Sequence, residues 1–544
     1  MASSWIIPGI VFVFTTLYYW FRRINVAGRA RLPPGPKGLP LVGNLNDLPK
    51  QGVLEAHHWL KHKKQYGPIS SVTVMGQTIV IINDSRLAFE VMEKRSAIHS
   101  SRPKQLFAGE MVGWESTLGF SPYNNRFRTY RRNFARIIGS KPLAAQFNDL
   151  QEAEVGHFLL HVLDKPEELV DHIKRSPPTF SPVEAGAIIL KISYDYTAES
   201  HKRDPLIDNI GDAMDKFTQA AVPGAFMVDL IPFLRHLPDW VPGTGWKKTA
   251  REWKAQLMDV TDRPYAFVKH RMAQGKTEPS FLSKLLEKSD SDPEEKFTNK
   301  FSAFSLYGAG ADTTVSGLAF FFLAMALFPD AQRKAQAEID RVIGPDRLPT
   351  AEDRENLPYI AATVKEVLRW NPVAPMGLPH GTTEDDLCEG YLIPKGAMVF
   401  ANVWRVKPLF LQRHFTHDPN VYHDPMTFKP ERFLPVDGHM PEPDPAMYAF
   451  GFGRRICPGR ILADNTLYLS IAQSLAVFSI TKPVENGKEI EPVVKPLPGV
   501  ISHPAPFQCT IKPRSNHHES LIRSIEKTHP WQESDGPVLE SMCY

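Results

Sequence analysis

The apolar positions of this chain fall into a few long runs that are separated by polar and proline-rich segments. The longest run in the body of the chain covers residues 301–328, and its length alone would suffice for a membrane span. Asp312 and Thr313 lie in its middle, and a charged group in an apolar helix is costly unless it is paired or functional. We therefore expect a long core helix, whose glycines leave room for something beside the backbone.

Shorter patterns predict the elements around this helix. Residues 69–82 hold two β-rich runs on either side of Gly76, which predicts a hairpin. Apolar residues at positions 331, 335, 339 and 342 recur at helical spacing and predict an amphipathic helix. Residues 371–380 are apolar and rich in proline, so they cannot be helical and should run extended.

The start of the chain has the pattern of a membrane anchor. Residues 5–21 are apolar and uncharged, aromatic residues close the run, and Arg22 and Arg23 follow it directly. A cleaved signal peptide is the alternative, because small residues follow, but no positive residue precedes the run. This polarity favours an uncleaved anchor over residues 1–23, a stiff proline-rich hinge over residues 24–44, and a cytosolic catalytic part.

Composition and charge narrow the class of protein. The 544 residues carry a formal net charge of +3, so no dominating basic field indicates nucleic-acid binding. Four scattered cysteines do not make a secreted disulfide framework, and a reducing compartment fits them better. With no break in composition, residues 45–514 are expected to form one catalytic domain. Residues 515–544 are polar, without sustained periodicity, and predict a disordered tail.

One cysteine stands in an unusual loop over residues 450–459. Glycines let the backbone turn tightly around Cys457, and Pro458 fixes the direction of the exit. Arg454 and Arg455 are expected to add positive potential that lowers the pKa of the thiol. A lone cysteine makes neither a tetrahedral zinc site nor an iron–sulfur cluster. A macrocycle that already supplies four nitrogens, however, needs only one protein ligand; without such a partner Cys457 would be a small buried hydrophobe.

The same loop carries a family resemblance. Phe450, Gly453, Arg455, Cys457 and Gly459 fill the pattern Phe-x-x-Gly-x-Arg-x-Cys-x-Gly, which resembles the haem-binding loop of the cytochrome P-450 superfamily. The resemblance implies a mainly α fold with small β-sheets, behind a single N-terminal transmembrane helix. It implies haem b as cofactor, Cys457 as the thiolate ligand of the iron, and Arg455 as a contact of a haem propionate.

The middle of the core helix matches a second motif of that superfamily. Residues 309–314 resemble its oxygen-activation motif. The activation of O₂ needs two protons, which residues of this motif deliver in the superfamily. The resemblance implies that Thr313 is the local proton donor and that Asp312 recharges it as a general acid. Taken alone, a hydroxyl residue in mid-helix is a packing feature.

Two more cofactor contacts are carried over by resemblance. In the superfamily a helix like that over residues 123–132 binds a haem propionate through a Trp-x-x-x-Arg pattern. Phe127 replaces the tryptophan here, so only Arg131 carries over, and a solvated charged face is the alternative. His380, at the end of the extended segment beside the haem, is a candidate propionate donor, although a lone histidine is usually structural.

Three charged residues match the superfamily's structural network. Glu366 and Arg369 lie three residues apart and share a helix face, and Arg432 supplies the second arginine. The resemblance implies that they hold the cysteine loop and take no part in the chemistry. Between these partners, residues 406–414 are surplus to the superfamily pattern, either as an insertion or as a gene-model artefact. If this segment disrupts the scaffold, haem incorporation fails.

The resulting hypothesis is a haem-thiolate monooxygenase that inserts one atom of O₂ into a lipophilic small molecule. NADPH–cytochrome P-450 reductase would supply the electrons, with cytochrome b5 as a further donor, and the protein would be a single-pass protein of the endoplasmic reticulum membrane. Residues 223–232 resemble filamentous-fungal members such as the O-methylsterigmatocystin oxidoreductase-like group, which indicates secondary or xenobiotic metabolism. The alternatives are a reductase-free haem-thiolate isomerase, dehydratase or peroxygenase, and an inactive haem-binding protein.

Overall fold

The fold is taken from a computed structural model that describes residues 31–50, 52–169, 184–200, 203–221, 224–287, 292–404, 415–419, 421–435 and 440–542. The predicted anchor over residues 1–23 lies outside the described residues, as does the surplus segment over residues 406–414. Only the part of the predicted hinge that begins at residue 31 is described.

Helices make up most of the described chain. In chain order they are α1 (Glu55–Tyr66), α2 (Ser85–Ala88), α3 (Asn125–Ile138), α4 (Lys141–Ala145), α5 (Asn148–Asp164), α6 (Glu184–Tyr194), α7 (Pro205–Ala221), α8 (Met227–Leu230), α9 (Trp246–Ala273), α10 (Phe281–Leu286), α11 (Pro293–Leu327), α12 (Pro329–Val342), α13 (Pro358–Trp370), α14 (Ala446–Ala449), α15 (Arg460–Val477), α16 (Asn516–Thr528) and α17 (Gly536–Ser541).

The strands are short and form small sheets beside the helices. They are β1 (Ile69–Val74), β2 (Gln77–Ile82), β3 (His380–Gly381), β4 (Asp386–Cys388), β5 (Tyr391–Ile393), β6 (Met398–Ala401), β7 (Phe478–Thr481), β8 (Val484–Glu485), β9 (Lys488–Glu489) and β10 (Thr510–Pro513). The largest sheet has the order β1-β2-β6-β3. The pairs β10–β7, β4–β5 and β8–β9 complete the set in the described chain. The expected mainly α fold with small sheets is confirmed.

The predicted hairpin is confirmed as β1 and β2. They pair antiparallel, with Ile69 opposite Ile82 and Val74 opposite Gln77, and Gly76 takes φ +87° at the turn. β6 joins β2 in parallel and β3 pairs antiparallel with β6, so His380, at the end of the segment over residues 371–380, enters the same sheet. The sheet contributes to the wall of a central cavity, because His380 of β3 and Ala401 of β6 line that cavity.

The expectation of a long core helix is also confirmed. α11 begins where the Asp292 side chain accepts a hydrogen bond from the N–H of Glu294, with Pro293 at the first helical position. It is the one helix of the described residues that is long and apolar enough to cross a membrane, but most of its apolar window is buried inside the protein. The largest hydrophobic cluster surrounds it, so α11 is the axis on which the domain packs.

The predicted disordered tail is wrong for most of its length. α16 begins at the Ser515 cap, whose side chain accepts a hydrogen bond from the N–H of His518. Ile522 and Ile525 then share one buried face that packs on α5. A Cβ on Gly156 of α5 would lie 2.8 Å from Ile525, so the glycine permits the close approach. An apolar face of one turn was too short to register as periodicity in the sequence.

Truncation of Ile525 tests whether this tail belongs to the core. Ile525→Ala is expected to lower the free energy of unfolding by about 2–4 kcal/mol, because a fully buried side chain leaves a cavity. A denaturant titration measures the loss. Glu526→Ala, on the exposed face of the same helix, is the control and should stay close to the parent protein. Equal stability of the two variants would contradict the docked position of α16.

Candidate active site

A cavity of about 390 Å³ lies between the middle of α11 and the loop that carries Cys457. Its walls are mostly apolar, and they include the segment over residues 371–380, as the sequence led us to expect, and the turn at Val500 and Ile501. The segment turns at Gly377 and does not run extended throughout. The predicted site residues Asp312, Thr313, Cys457, Arg455, Arg131, His380, Phe450 and Gly459 all line it. Gly453 is the one predicted site residue that does not line the cavity, because it packs against the backbone of Met92.

The loop before α15 holds Cys457 through its backbone. Gly451 and Gly453 take φ +79° and +56°, and a Cβ on Gly453 would collide with the carbonyl oxygen of Met92. The N–H of Cys457 donates to the carbonyl oxygen of Phe450 at 2.8 Å, which closes the turn. A Cβ on Gly459, by contrast, would enter open space, so no atom of the described residues explains the glycine at that position.

The electrostatic surroundings of the sulfur differ from the prediction. Burial raises the pKa of the Cys457 thiol, while the N–H of Gly459 and the charges of Arg131 and Arg460 act against this rise. Arg454 and Arg455 were expected in that role, and this is wrong. Arg454 is exposed and donates to the hydroxyl of Tyr123 at 2.6 Å, whereas the Arg455 side chain turns into the protein.

Arg455 is buried at one edge of the cavity. Its guanidinium donates to the carbonyl oxygens of Ser100 and Ser121, both at 2.6 Å, and lies 3.9 Å from the centre of the Phe127 ring. Burial, with the nearby charges of Arg102 and Arg131, lowers the pKa of Arg455 to about 8. Phe127 therefore supplies a ring face for a cation at the position where the superfamily pattern has tryptophan.

Arg102 and Arg131 complete a cationic edge with Arg455, and His380 lies beside it. The Arg102 guanidinium donates to the carbonyl oxygens of Gly119 and Pro379, and burial lowers its pKa to about 9. Nδ1 of His380 lies 2.6 Å from the carbonyl oxygen of His99, and burial lowers the pKa of His380 to about 3. Within the described chain, no carboxylate pairs with Arg102, Arg131 or Arg455, so one buried and two half-buried cationic groups converge here without an anion.

On the opposite wall, Asp312 and Thr313 face the cavity from α11. The Thr313 hydroxyl donates to the carbonyl oxygen of Ala309 at 2.8 Å, one turn earlier in the helix. Oδ1 of Asp312 lies 2.9 Å from Nε2 of His503, in the segment that follows the turn at residues 500–501. Asp312 and His503 are far apart in the sequence, and the fold places them in contact.

Glu366, Arg369 and Arg432 form one buried network, as predicted. Glu366 accepts hydrogen bonds from Nε of Arg369 at 2.7 Å and from Nε of Arg432 at 3.2 Å. Glu366 and Arg369 are fully buried. Arg432 also donates to Glu442 at 2.7 Å, which ties the network to the chain that leads to the cysteine loop.

Comparison with known proteins decides the family. The family profile described as Cytochrome P450 matches residues 33–511, which is most of the chain. This chain belongs to the cytochrome P450 family. The P450 is 48% identical over 515 residues to cytochrome P450 monooxygenase claR of Ampulloclitocybe clavipes, covering 94% of this chain and 92% of that protein. It is 46% identical to cytochrome P450 monooxygenase ppsD of Aspergillus oryzae, with 94% of each chain covered.

The resemblance to O-methylsterigmatocystin oxidoreductase is confirmed as well. The P450 is 43% identical over 511 residues to that protein of Aspergillus flavus, covering 93% of this chain and 92% of the relative. The relatives are fungal monooxygenases, so this P450 is a monooxygenase of the same kind and binds haem b.

The residues of the cavity fit haem b. Its two propionates are anions, and the cationic edge offers guanidinium groups, buried at Arg455 and half-buried at Arg102 and Arg131, that lack a carboxylate partner in the described chain. Its iron accepts a single protein thiolate, and Cys457 presents one half-buried sulfur to the cavity. The open space beside Gly459 is further room that a side chain would fill.

Sequence reasoning missed Arg102 and His503. Arg102 precedes Pro103 in a segment without periodicity, and His503 precedes Pro504 in another. Neither residue belongs to a motif with a spacing that would mark it. Each reaches the site because a backbone segment distant in the chain packs against the cavity.

Proposed function

We propose that this P450 binds its haem iron through Cys457 and delivers protons for oxygen activation through Asp312 and Thr313. The observation that carries the proposal is that these residues line a single cavity, although they come from α11 and from a loop more than a hundred residues later. The cationic edge of Arg102, Arg131 and Arg455 would hold the haem carboxylates. His380 is proposed as a propionate donor, because an added anion favours its protonated form.

Bound haem supplies the centre at which O₂ is reduced, with one oxygen atom passing to the substrate and the other leaving as water. Side chains of the protein deliver the protons that this reduction consumes. The Thr313 hydroxyl now donates to the helix carbonyl of Ala309, so it must turn away from that carbonyl to donate into the cavity. Asp312, next to it on α11, can replace the proton that Thr313 gives up. The apolar walls exclude bulk water from this exchange.

The proposed substrate is a lipophilic small molecule of fungal secondary metabolism. The mostly apolar cavity supports a lipophilic ligand, and the relatives include an O-methylsterigmatocystin oxidoreductase. Exposed apolar side chains of Met227, Phe233 and Trp240, around α8, support contact with a membrane surface. Together with the apolar start of the sequence, they support attachment to the endoplasmic reticulum membrane, with NADPH–cytochrome P-450 reductase as electron donor.

The contacts on both sides of residues 405–414 argue against the inactive alternative. The Thr416 hydroxyl donates to the carbonyl oxygen of Val403 at 3.0 Å. Arg369 donates to the carbonyl oxygen of Thr416 at 2.9 Å while it keeps both hydrogen bonds to Glu366. The chain therefore leaves and re-enters the scaffold at one place, and the network that supports the cysteine loop is complete around it.

Isotope labelling tests the function directly. The purified holoenzyme with NADPH, reductase and ¹⁸O₂ should transfer one labelled atom to O-methylsterigmatocystin or to another lipophilic ligand that shifts the Soret band on binding. Omission of the reductase should stop the reaction. Turnover without reductase and NADPH would instead support the isomerase, dehydratase or peroxygenase alternative.

Asp312→Asn is expected to slow NADPH-dependent product formation about a hundredfold, because the amide keeps the shape of the carboxylate but cannot pass on a proton. The carbon monoxide spectrum of the reduced variant should match that of the parent, which shows that haem and thiolate are in place. Asp330→Asn, at an exposed position of α12, is the control with the same change of charge. A variant of Asp312 that keeps the parental rate would remove this residue from the proton path.

A further inference from the structure

His503 contacts Asp312 but does not itself line the cavity. Its Nε2 lies 2.9 Å from Oδ1 of Asp312, and its side chain is 9% exposed. Asp312 lines the cavity. In the described part of the chain, His503 is the residue whose side chain lies within hydrogen-bond distance of the Asp312 carboxylate, and Oδ2 of Asp312 has no hydrogen-bond partner there.

The backbone around His503 is fixed to the helix that carries Asp312. The Ser316 hydroxyl of α11 donates to the carbonyl oxygen of Ser502 at 2.6 Å. The N–H of Ser502 donates to the carbonyl oxygen of Val373 at 2.8 Å, and the N–H of Leu497 donates to that of His503 at 2.7 Å. These bonds fix the backbone on both sides of His503 beside α11, so the imidazole is held within reach of Asp312.

The two ring nitrogens of His503 have different surroundings. Nδ1 of His503 is buried and has no hydrogen-bond partner among the described residues. A buried N–H without an acceptor is rarer and costlier than a bare acceptor. We therefore assign the N–H that donates to the carboxylate of Asp312 to Nε2, and the nitrogen without a hydrogen to Nδ1.

We propose that His503 is a positioning residue that holds Oδ1 of Asp312 and so leaves Oδ2 free for proton exchange on the cavity side. The inference rests on the proposed role of Asp312. An aspartate carboxylate in the middle of a helix can rotate about two side-chain bonds. A misplacement of about 1 Å strongly lowers the rate of proton transfer. His503 restricts that rotation from a segment that is bonded to the same helix.

Oxygen stoichiometry measures the effect without any substrate. In the reconstituted holoenzyme with reductase, one NADPH and one proton reduce O₂ to hydrogen peroxide, whereas two NADPH and two protons reduce it to two waters. Delivery of protons by Asp312 favours water. His503→Ala is expected to lower the ratio of water to peroxide about tenfold, as Asp312→Asn does, while the carbon monoxide spectrum stays parental.

Two variants separate positioning from packing. His503→Gln keeps an N–H donor near the position of Nε2 and should restore most of the parental ratio, which a purely structural role would not require. His517→Ala removes the histidine of an exposed pair, in which Nε2 lies 3.2 Å from Oδ1 of Asp346, and should leave the ratio unchanged. Failure of the glutamine variant to recover, or an equal effect of His517→Ala, would overturn the inference.

A spectroscopic measurement needs neither reductase nor substrate. In ¹⁵N-histidine-labelled protein, reduced with dithionite and bound to carbon monoxide, the ring signal that disappears in His503→Ala identifies His503. That signal should show the Nε2–H tautomer and should shift in Asp312→Asn. A His503 signal that does not respond to Asp312→Asn would overturn the contact itself.

The outcomes also separate this inference from the proposed function. If Asp312→Asn leaves the water-to-peroxide ratio at the parental value, the proposed role of Asp312 fails. If Asp312→Asn lowers the ratio and His503→Ala does not, the role of Asp312 stands and the inference about His503 alone fails.

Discussion

Replacement of Cys457 by serine is expected to abolish the thiolate-type Soret band of the reduced, carbon-monoxide-bound protein, together with all NADPH-dependent product formation. The serine hydroxyl nearly matches the thiol in shape, but it is a far weaker acid and a harder ligand. The N–H of Gly459 and the charges of Arg131 and Arg460, which oppose the effect of burial on the thiol, cannot ionise a hydroxyl. Loss should therefore be complete.

Cys509→Ala provides the matched control. Cys509 packs against the hydrophobic core outside the cavity, and burial raises the pKa of its thiol to about 12. Its replacement should leave the Soret band and the product rate at parental values. Melting curves of both variants show whether either has unfolded. A Cys457→Ser protein that keeps the thiolate-type band would contradict the assignment of the ligand.

Glu366→Gln is expected to have the largest effect on stability, about 3–5 kcal/mol of unfolding free energy. The amide keeps the shape of the side chain, yet it leaves the guanidinium groups of Arg369 and Arg432 buried without the carboxylate that both contact. Because Arg432 also bonds Glu442, the damage should spread toward the cysteine loop and lower the haem content per chain. Denaturant titration and haem absorbance measure the two effects.

An exposed pair with the same spacing serves as control. Asp330 and Arg333 also lie three residues apart in one helix, but their side chains are 76% and 71% exposed. Arg333→Ala should change the unfolding free energy by less than about 1 kcal/mol, since water screens the pair. Similar losses for Glu366→Gln and Arg333→Ala would show that burial does not set the strength of the network.

Structural features that depend on short contiguous stretches of sequence were predictable. The turn at Gly76 gave the hairpin, the apolar run around Asp312 gave the core helix, and the loop pattern gave the position of Cys457 in the cavity wall. In each case neighbouring residues determine the local geometry, so spacing along the chain is enough.

Features that depend on distant packing were not predictable. Arg102 joins the cationic edge because its guanidinium reaches carbonyl groups near residues 119 and 379. His503 meets Asp312 only because Ser316 fixes the segment that carries it. The tail helix depends on a glycine in α5 that leaves space for Ile525. No pattern along the chain encodes such three-dimensional proximity.

The hydrogen bond between Thr416 and Val403 has a consequence for how this domain tolerates change in length. It joins the two points where residues 405–414 leave and re-enter the scaffold, so the ends of that segment are already held together. For such a closed connection each doubling of length costs only about 0.6 kcal/mol of chain entropy. The domain thus has an internal site that can accept inserted sequence, such as an affinity tag or a fluorescent label, beside the buried network of Glu366, Arg369 and Arg432.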